Sequence, residues 1–548
     1  MSPIPPSHAL EEPYDVIIVG GGITGLVAAR ELQATHRVLL LEAQPHLGGR
    51  CVSTEALGGA AFADHGAHYL GTAHTETMAL LRELELERTL FDYVPGFGPD
   101  PIGLCNLDGR CINARRSQSY FEVQGLDATQ PWLSQARMLS ALASISMLCD
   151  LVHTHRPWDS PGAKTLDGMT FAELVEHFDV PPWFKDLMCS GVRGVVSQAP
   201  EYMSALYVLW YLRSNGGFSQ VFNDQQGSPQ QYGLRGGMGS LVRALAEQLR
   251  SSDVRTDTWI RRIEASAAPA GPVRVITRDG HTHRAHRVVV TATPRACRSI
   301  EFAPALSSKR RLLHDQRTGF AIKATAFYDH PWWRNSKTHQ GQLFSVLNGR
   351  KHDGVDWAID ISHPRGDYYA LVVFIKPDLV DQHESEGEAA TRGAISRAIG
   401  HAMGDTGASD HLRELVWYDW RKHPSCPGGP NTNFGPHVLT TVREALWHPE
   451  YDGRLFFGGA EHATDFTGYV EGAVRSGRYL AERVRSPHTD APPRGLTTDW
   501  SAALMKLPGA LLAQGFAYGS RLSRSIARRR RNAALQRSAK ERVPRAAP

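Results

Sequence analysis

Residues 20–25 read GGGITG, and glycines at 20, 22 and 25 have the G-x-G-x-x-G spacing that lets a backbone cradle a pyrophosphate. Gly20 permits a tight turn, Gly22 lets phosphates approach the main chain, and Gly25 allows close packing of the segment that follows. A helix opening at Ile23 and Thr24 would turn its free N–H groups and positive dipole end toward the same anion. Glu42, 20 residues beyond Gly22, is spaced to accept hydrogen bonds from a ribose. The chemistry implied is dinucleotide binding. Other reactive residue types show no comparable pattern. Seven cysteines, at 51, 105, 111, 149, 189, 297 and 426, form no C-x-x-C pair, which points to reduced thiols rather than a disulfide framework or zinc site. The 25 histidines include no H-E-x-x-H, and Asp64 and His68 in DHGAH lack further ligands nearby, so no metal centre is expected.

The elements needed to position the glycine loop are present. YDVIIVG (14–20) is a β-branched apolar run suited to a buried parallel strand; ITGLVAARELQA follows as a helix, and RVLLLEA as a second strand ending at Glu42. LGGRC (47–51) then places a second glycine loop, with Gly49 and Arg50, just beyond the acidic residue. That arrangement is typical of FAD proteins of the glutathione-reductase type. FADHGAHYLG, with Gly66, Ala67 and His68, is similar to the segment such proteins lay along the flavin.

Further along, four stretches add to this: SALYVLWYLRSNGG, QQYGLRGGMGSLVRAL, TGFAIKATAFYDHPWWR and GRLFFGGAEHATDFTGYVEGAVRSGRYLAERV. With them the chain resembles the flavin-containing amine oxidases, in their monoamine oxidase branch, from about residue 13 to 485. The resemblance implies oxidation of a small-molecule amine to an imine, then an aldehyde or ketone, with oxygen reduced to hydrogen peroxide. It implies FAD-contacting roles for the Ile260 backbone at the adenine, for Glu461 at the ribityl-pyrophosphate, and for the Val470 N–H, at the start of a helix opening near Gly468. Lys323 lies in FAIKATAFY, an alternating stretch; from its residues alone a lysine there reads as a surface group with its head in water. The resemblance instead aligns it with the lysine that acts beside the flavin.

CPGGPNTNFG (426–435) matches the loop that, in monoamine oxidases, carries a flavin-linked cysteine followed by a tyrosine. Here Pro430 stands at the cysteine and Asn431 at the tyrosine. FAD is therefore expected to be held noncovalently. Of the two aromatic rings that frame the amine in that family, Tyr469 is retained and Asn431 replaces the other, offering a donor and an acceptor in place of a π face. Phe222 and Phe434 are expected to line the substrate pocket. No Met-Arg-x-Pro-like segment follows the GAHY motif, which weighs against an amino-acid oxidase. Two alternatives remain: a flavin desaturase or dehydrogenase of a specialised metabolite using another acceptor, and a degenerate flavin-binding interaction protein.

The expected fold is α/β. A Rossmann-like FAD-binding domain of glutathione-reductase type (13–95, 233–300 and 440–485) is interleaved with an α+β substrate domain (96–232 and 301–439). A linker and basic tail (486–548) follow. Charge separates the tail from the body: from Arg521 onward the chain carries a net +9, whereas the whole 548-residue chain carries only +4. The uncharged run 507–519 is too short to span a bilayer, which takes about 20 residues. Residues 504–531 read either as a basic amphipathic segment on an anionic membrane surface or as a segment docked on the body. Nucleic acid is the weaker partner, because no aromatics interleave the arginines. A homo-oligomer is compatible with the sequence. The N-terminus shows no basic start, apolar stretch or cleavage site, so an intracellular rather than secreted protein is expected.

Overall fold

The computed structural model describes residues 12–93, 101–107, 110–115, 131–222, 228–249, 254–268, 271–335, 342–348, 354–403, 407–486 and 493–514. Two large sheets organise the chain. The first has eight strands. In order they are Glu301–Ala303, Ile260–Glu264, Val273–Thr277, Thr282–Val290, Tyr14–Val19, Val38–Leu41 and Val254–Arg255, with Leu455–Phe457 also pairing with Thr282–Val290. Tyr14–Val19 runs parallel to both of its neighbours and has Val16, Ile17 and Ile18 fully buried. A parallel strand covered on both faces needs an unbroken apolar run, which is why its sequence does not alternate.

That strand feeds the glycine loop and helix Ile23–Leu32. Helix Val470–Arg485 packs across it, with the Thr24 Oγ1 donating to the Ala473 carbonyl at 3.1 Å. The first and last motifs of the match are thus joined in one layer. Strand Glu301–Ala303 pairs in parallel with Ile260–Glu264, so this sheet runs past residue 300, where the sequence placed its edge.

The second sheet has seven strands, ordered Leu412–Asp419, Ile322–Tyr328, Tyr369–Ile375, Val355–Asp360, Gln342–Asn348, Pro101–Leu107 and Arg110–Arg115. Every residue of Ile322–Tyr328 is buried, because antiparallel neighbours cover both its edges and side chains cover both its faces. Helix Pro182–Val196 packs against it, and a helical layer lies beyond, in which Trp132–Asp150 packs on Ala205–Ser214, the latter with all but Arg213 buried.

Residues 493–499 form an extended strap, and 500–514 a helix that lies on Trp132–Asp150. The Thr154 N–H donates to the Leu496 carbonyl (2.8 Å), the Asp499 N–H to the Asp150 carbonyl (2.8 Å), and Lys506 pairs with Asp150. Of the tail read as 504–531, residues 515–531 lie outside the described part. No helix among the described residues is long and apolar enough to cross a membrane.

Candidate active site

One long cavity runs between the two sheets. At one end it is lined by Gly20, Gly22, Ile23, Thr24, Glu42 and Ile260, all on the first sheet or its glycine loop. Gly22 leaves the cradle open: a Cβ there would meet nothing nearer than 3.9 Å. Gly25 sits behind the loop, where a Cβ would fall 2.0 Å from the Gly20 carbonyl oxygen, so only glycine lets helix and turn approach. Glu42 is fixed from both sides, its Oε2 accepting from the Gly21 N–H (2.6 Å) and its Oε1 from the Gln44 N–H (2.9 Å). Burial raises its pKa, against the opposing pull of those amides.

Midway, Gly49 and Arg50 line the wall. Arg50 donates to both Glu461 oxygens, at 2.7 and 2.9 Å, and also to the Pro430 carbonyl. Burial would raise the Glu461 carboxyl, but the Arg50 charge and hydrogen bonds outweigh it and hold the group ionised. Gly66, Ala67 and His68 continue the wall. His68 Nδ1 pairs with Asp64 Oδ2 at 2.9 Å, so the ring carries its proton there and Nε2 accepts from the Tyr93 hydroxyl at 2.8 Å. Burial acts to raise Asp64, but His68, Lys323 and Ser53 together hold it below the usual carboxylate range. The DHGAH segment thus forms a hydrogen-bonded wall.

At the far end Lys323, Asn431, Tyr469 and Val470 share the cavity. Lys323 is 4% exposed and its Nζ donates to the Gly66 carbonyl at 2.8 Å. This corrects the surface reading that its own stretch suggests: the strand is covered on both faces. Burial lowers the ammonium pKa to about 8, with Asp64 and Cys51 resisting the shift.

Asn431 is also buried, and the turn into helix Val470–Arg485 closes on it. At Gly468 (φ +84°) a Cβ would lie 2.1 Å from Asn431 Oδ1. Tyr211 also lines this end, its ring centroid 6.4 Å from that of Tyr469, and burial pushes its hydroxyl pKa up, with Tyr469 and Asn431 both close enough to act on it. Among the described residues Asn431 Oδ1 has no hydrogen-bond partner. Behind Tyr469 stands His74, fully buried, its ring 5.8 Å away and edge-on. Cys426, Gly429, Pro430 and Asn431 of CPGGPNTNFG line the cavity, and Asn431 to Gly435 are buried, so the stretch is not a surface turn.

Several expectations need correction. Phe222 and Phe434 do not line this cavity. Phe434 packs with Tyr207 (centroids 5.1 Å apart) and Trp210 (6.3 Å) inside the helical core. Phe222 lies against Phe218, beside a small separate void with Val192 and Val195. Both are large apolar groups that the core claims first. Glu461 is not among the residues lining the cavity; it meets Arg50, which is. The last helix begins at Val470, with Tyr469 as its N-cap, not at Gly468. Sequence reasoning missed Tyr211, although its helix had been singled out, and also Gln230, Trp357, Ile359 and Phe374, which complete the far end. The only signal for these was an apolar, aromatic-rich pattern that core residues share.

The model of the family described as flavin containing amine oxidoreductase matches residues 23–485. The chain belongs to that family. This flavin-dependent amine oxidoreductase is 25% identical over 487 residues to amine oxidase [flavin-containing] A of Equus caballus, covering 86% of this chain and 85% of that one. It is 26% identical over 480 residues to an L-amino acid dehydrogenase of Synechocystis (86% and 94% covered). Among solved structures it superimposes on cyclohexylamine oxidase from Brevibacterium oxydans IH-35A with a TM-score of 0.74 and 26% identity, over 87% of this chain and 99% of that one. The family's cofactor is FAD, and the cavity suits it. A glycine cradle and a carboxylate held by two backbone amides lie at one end, and a buried lysine beside a helix N-terminus lies at the other.

Proposed function

We propose that this amine oxidoreductase oxidises a neutral monoamine carrying a nearby hydrogen-bonding group, and that oxygen is its electron acceptor. The observation that carries the substrate class is the charge of the cavity wall. Among the described lining residues the only charged groups are Glu42, Arg50 and Lys323. Glu42 belongs to the ribose end and Arg50 is committed to Glu461. Among the described residues no carboxylate waits for a second ammonium group, so a diamine leaves a buried charge unpaired, and a substrate carboxylate would find only Lys323, which already donates to the Gly66 carbonyl.

Bound FAD would take two electrons and the α-hydrogen from the amine and pass the electrons on to oxygen as peroxide. The residues of the chain hold the reactants. Tyr469 offers a ring face on one side of the amine, and Asn431 offers an amide on the other. Tyr211 stands close to both, and the buried wall excludes water. Lys323 supplies a positive charge at the same end, which favours the electron-rich state of a neighbouring group and the developing charge on reduced oxygen. Pro430 has no nucleophile, which supports noncovalent attachment of FAD. Acid precipitation should release it.

The deciding experiment is anaerobic mixing of the yellow protein with primary and secondary monoamines, diamines and amino acids, following loss of visible absorbance. Bleaching by monoamines, reversed by air with one equivalent of peroxide, supports the reading. Bleaching that air does not reverse, but a quinone does, would replace it with a dehydrogenase. No bleaching by any amine would point to a specialised desaturase or a non-catalytic role.

The tail helix supports a second part of the reading, attachment to an anionic membrane surface. It buries small residues, Ala503, Ala510 and Ala513, and turns large ones outward: Trp500, Leu504, Met505, Leu511 and Leu512. Exposed Trp132 and Leu139 on the helix beneath extend this apolar face. Six arginines follow between 521 and 531, with no acidic residue among them. Such a face with adjacent cations suits a lipid interface. Flotation with phosphatidylserine vesicles, lost in a Leu504→Glu/Leu511→Glu variant, tests it. Equal behaviour of the variant would overturn it.

A further inference from the structure

We propose that Asp329, His330 and His411 bind one divalent transition-metal ion of the zinc, cobalt or nickel class, clipping together the ends of two strands of the second sheet. These residues lie outside the FAD cavity, and the proposal does not depend on the amine chemistry. Asp329 and His330 directly follow strand Ile322–Tyr328, and His411 directly precedes Leu412–Asp419, its antiparallel neighbour. The sheet itself sets their approach. Tyr328 pairs with Leu412, and the Asp329 N–H donates to the His411 carbonyl at 3.1 Å. The turn is held further on, where the Trp332 N–H donates to the His330 carbonyl at 3.0 Å and Trp333 Nε1 donates to Asp360 at 2.8 Å.

The two imidazoles meet edge-to-face, centroids 4.3 Å apart at 79°, and both turn Nδ1 toward one carboxylate oxygen. Asp329 Oδ1 lies 2.6 Å from His330 Nδ1 and 3.4 Å from His411 Nδ1, and all three ligand atoms fall within 4.8 Å of one another. A tetrahedral zinc ion with bonds of about 2.0 Å wants ligand atoms about 3.3 Å apart. Side-chain rotations of about 1 Å therefore close the set, with the backbone left in place. Two imidazoles and one carboxylate suit zinc, cobalt or nickel, whereas calcium and magnesium prefer all-oxygen sets. The residues are partly exposed, which leaves an approach path and water for the remaining position. No spacing motif reveals the trio, because His411 lies 81 residues beyond His330.

The test uses untagged, FAD-loaded, chelator-treated full-length protein. Titration with Co(II) should give the visible bands of a site containing nitrogen ligands, saturating at one equivalent, and Zn(II) should displace it. Zn(II) should also raise the Tm. His411→Ala and His330→Ala should each weaken binding by about tenfold or more and abolish the Tm rise, with FAD content unchanged. Asp329→Asn, which keeps a polar group in the turn, is the companion variant should an alanine variant misfold, and it should weaken binding likewise. No saturable site, or binding by all three variants equal to that of the parent, would overturn the proposal and place the metal on other histidines.

Discussion

Arg50 and Glu461, 411 positions apart, form a two-pronged ion pair with contacts of 2.7 and 2.9 Å, Arg50 in the wall of the cofactor cavity and Glu461 buried behind it. The same guanidinium reaches the Pro430 carbonyl, so one side chain ties the second glycine loop, the substituted 426–435 wall and the closing motif together. Removing one partner of a buried pair strands the other charge and costs on the order of 3 kcal/mol. Glu461→Ala should therefore lower Tm and release FAD, read by melting and by bound flavin after gel filtration. Retention of full FAD at unchanged Tm would show that the pair is not what holds the cavity together.

Lys323 should govern the reaction with oxygen. Lys323→Met should slow reoxidation of the amine-reduced protein about 100-fold or more, in line with the loss of one preorganised charge. Stopped-flow mixing with oxygen reads this directly. A reoxidation rate within threefold of the parent's would remove Lys323 from that step.

The depressed pKa of Lys323 gives a stability test in FAD-free protein. Its folded value of about 8 lies below the ordinary 10.5, so the folded state binds fewer protons than the unfolded state between those values. The cost of burying the cation is complete below about pH 8 and is relieved as pH rises toward 10.5. Lys323→Met should consequently raise Tm at pH 7, with the gain shrinking above pH 8. A gain that is constant with pH would mean that the lysine does not titrate there.

Asn431 should act as a selector. Asn431→Leu keeps the volume similar but removes the amide, and loss of one hydrogen bond is worth about 1 kcal/mol. KM for amines carrying a neighbouring hydroxyl or ether should rise about fivefold, while a purely hydrocarbon amine is unaffected or improved. Equal changes for both classes would show that the residue acts only by shape.

Gly477 marks where the first and last motifs touch. A Cβ there would lie 2.7 Å from the Thr24 carbonyl oxygen and 2.8 Å from Val27 Cβ. Gly477→Val should push the two helices apart at the glycine loop and abolish FAD retention, whereas Glu482→Ala on the exposed face of the same helix should be tolerated. Expression of a normal yellow protein from the valine variant would show that the helices have slack.

What the sequence determined by itself is local in physical origin. The strand, glycine turn and helix at 14–32 are legible because three glycines, a β-branched run and a spaced acid each serve a backbone need within a few turns. The same holds for Pro430 and Asn431, whose chemistry is plain once their positions are matched. What only the tertiary structure decided is which side chains meet. Lys323 reads as a surface lysine until two strands and a helical layer cover it. Phe222 and Phe434 read as pocket residues until the helical core takes them. Tyr211 looks like one more aromatic in an apolar helix until the fold sets it in the cavity wall beside Tyr469. Periodicity records which face of an element is buried; what that face is buried against is settled by segments hundreds of residues away.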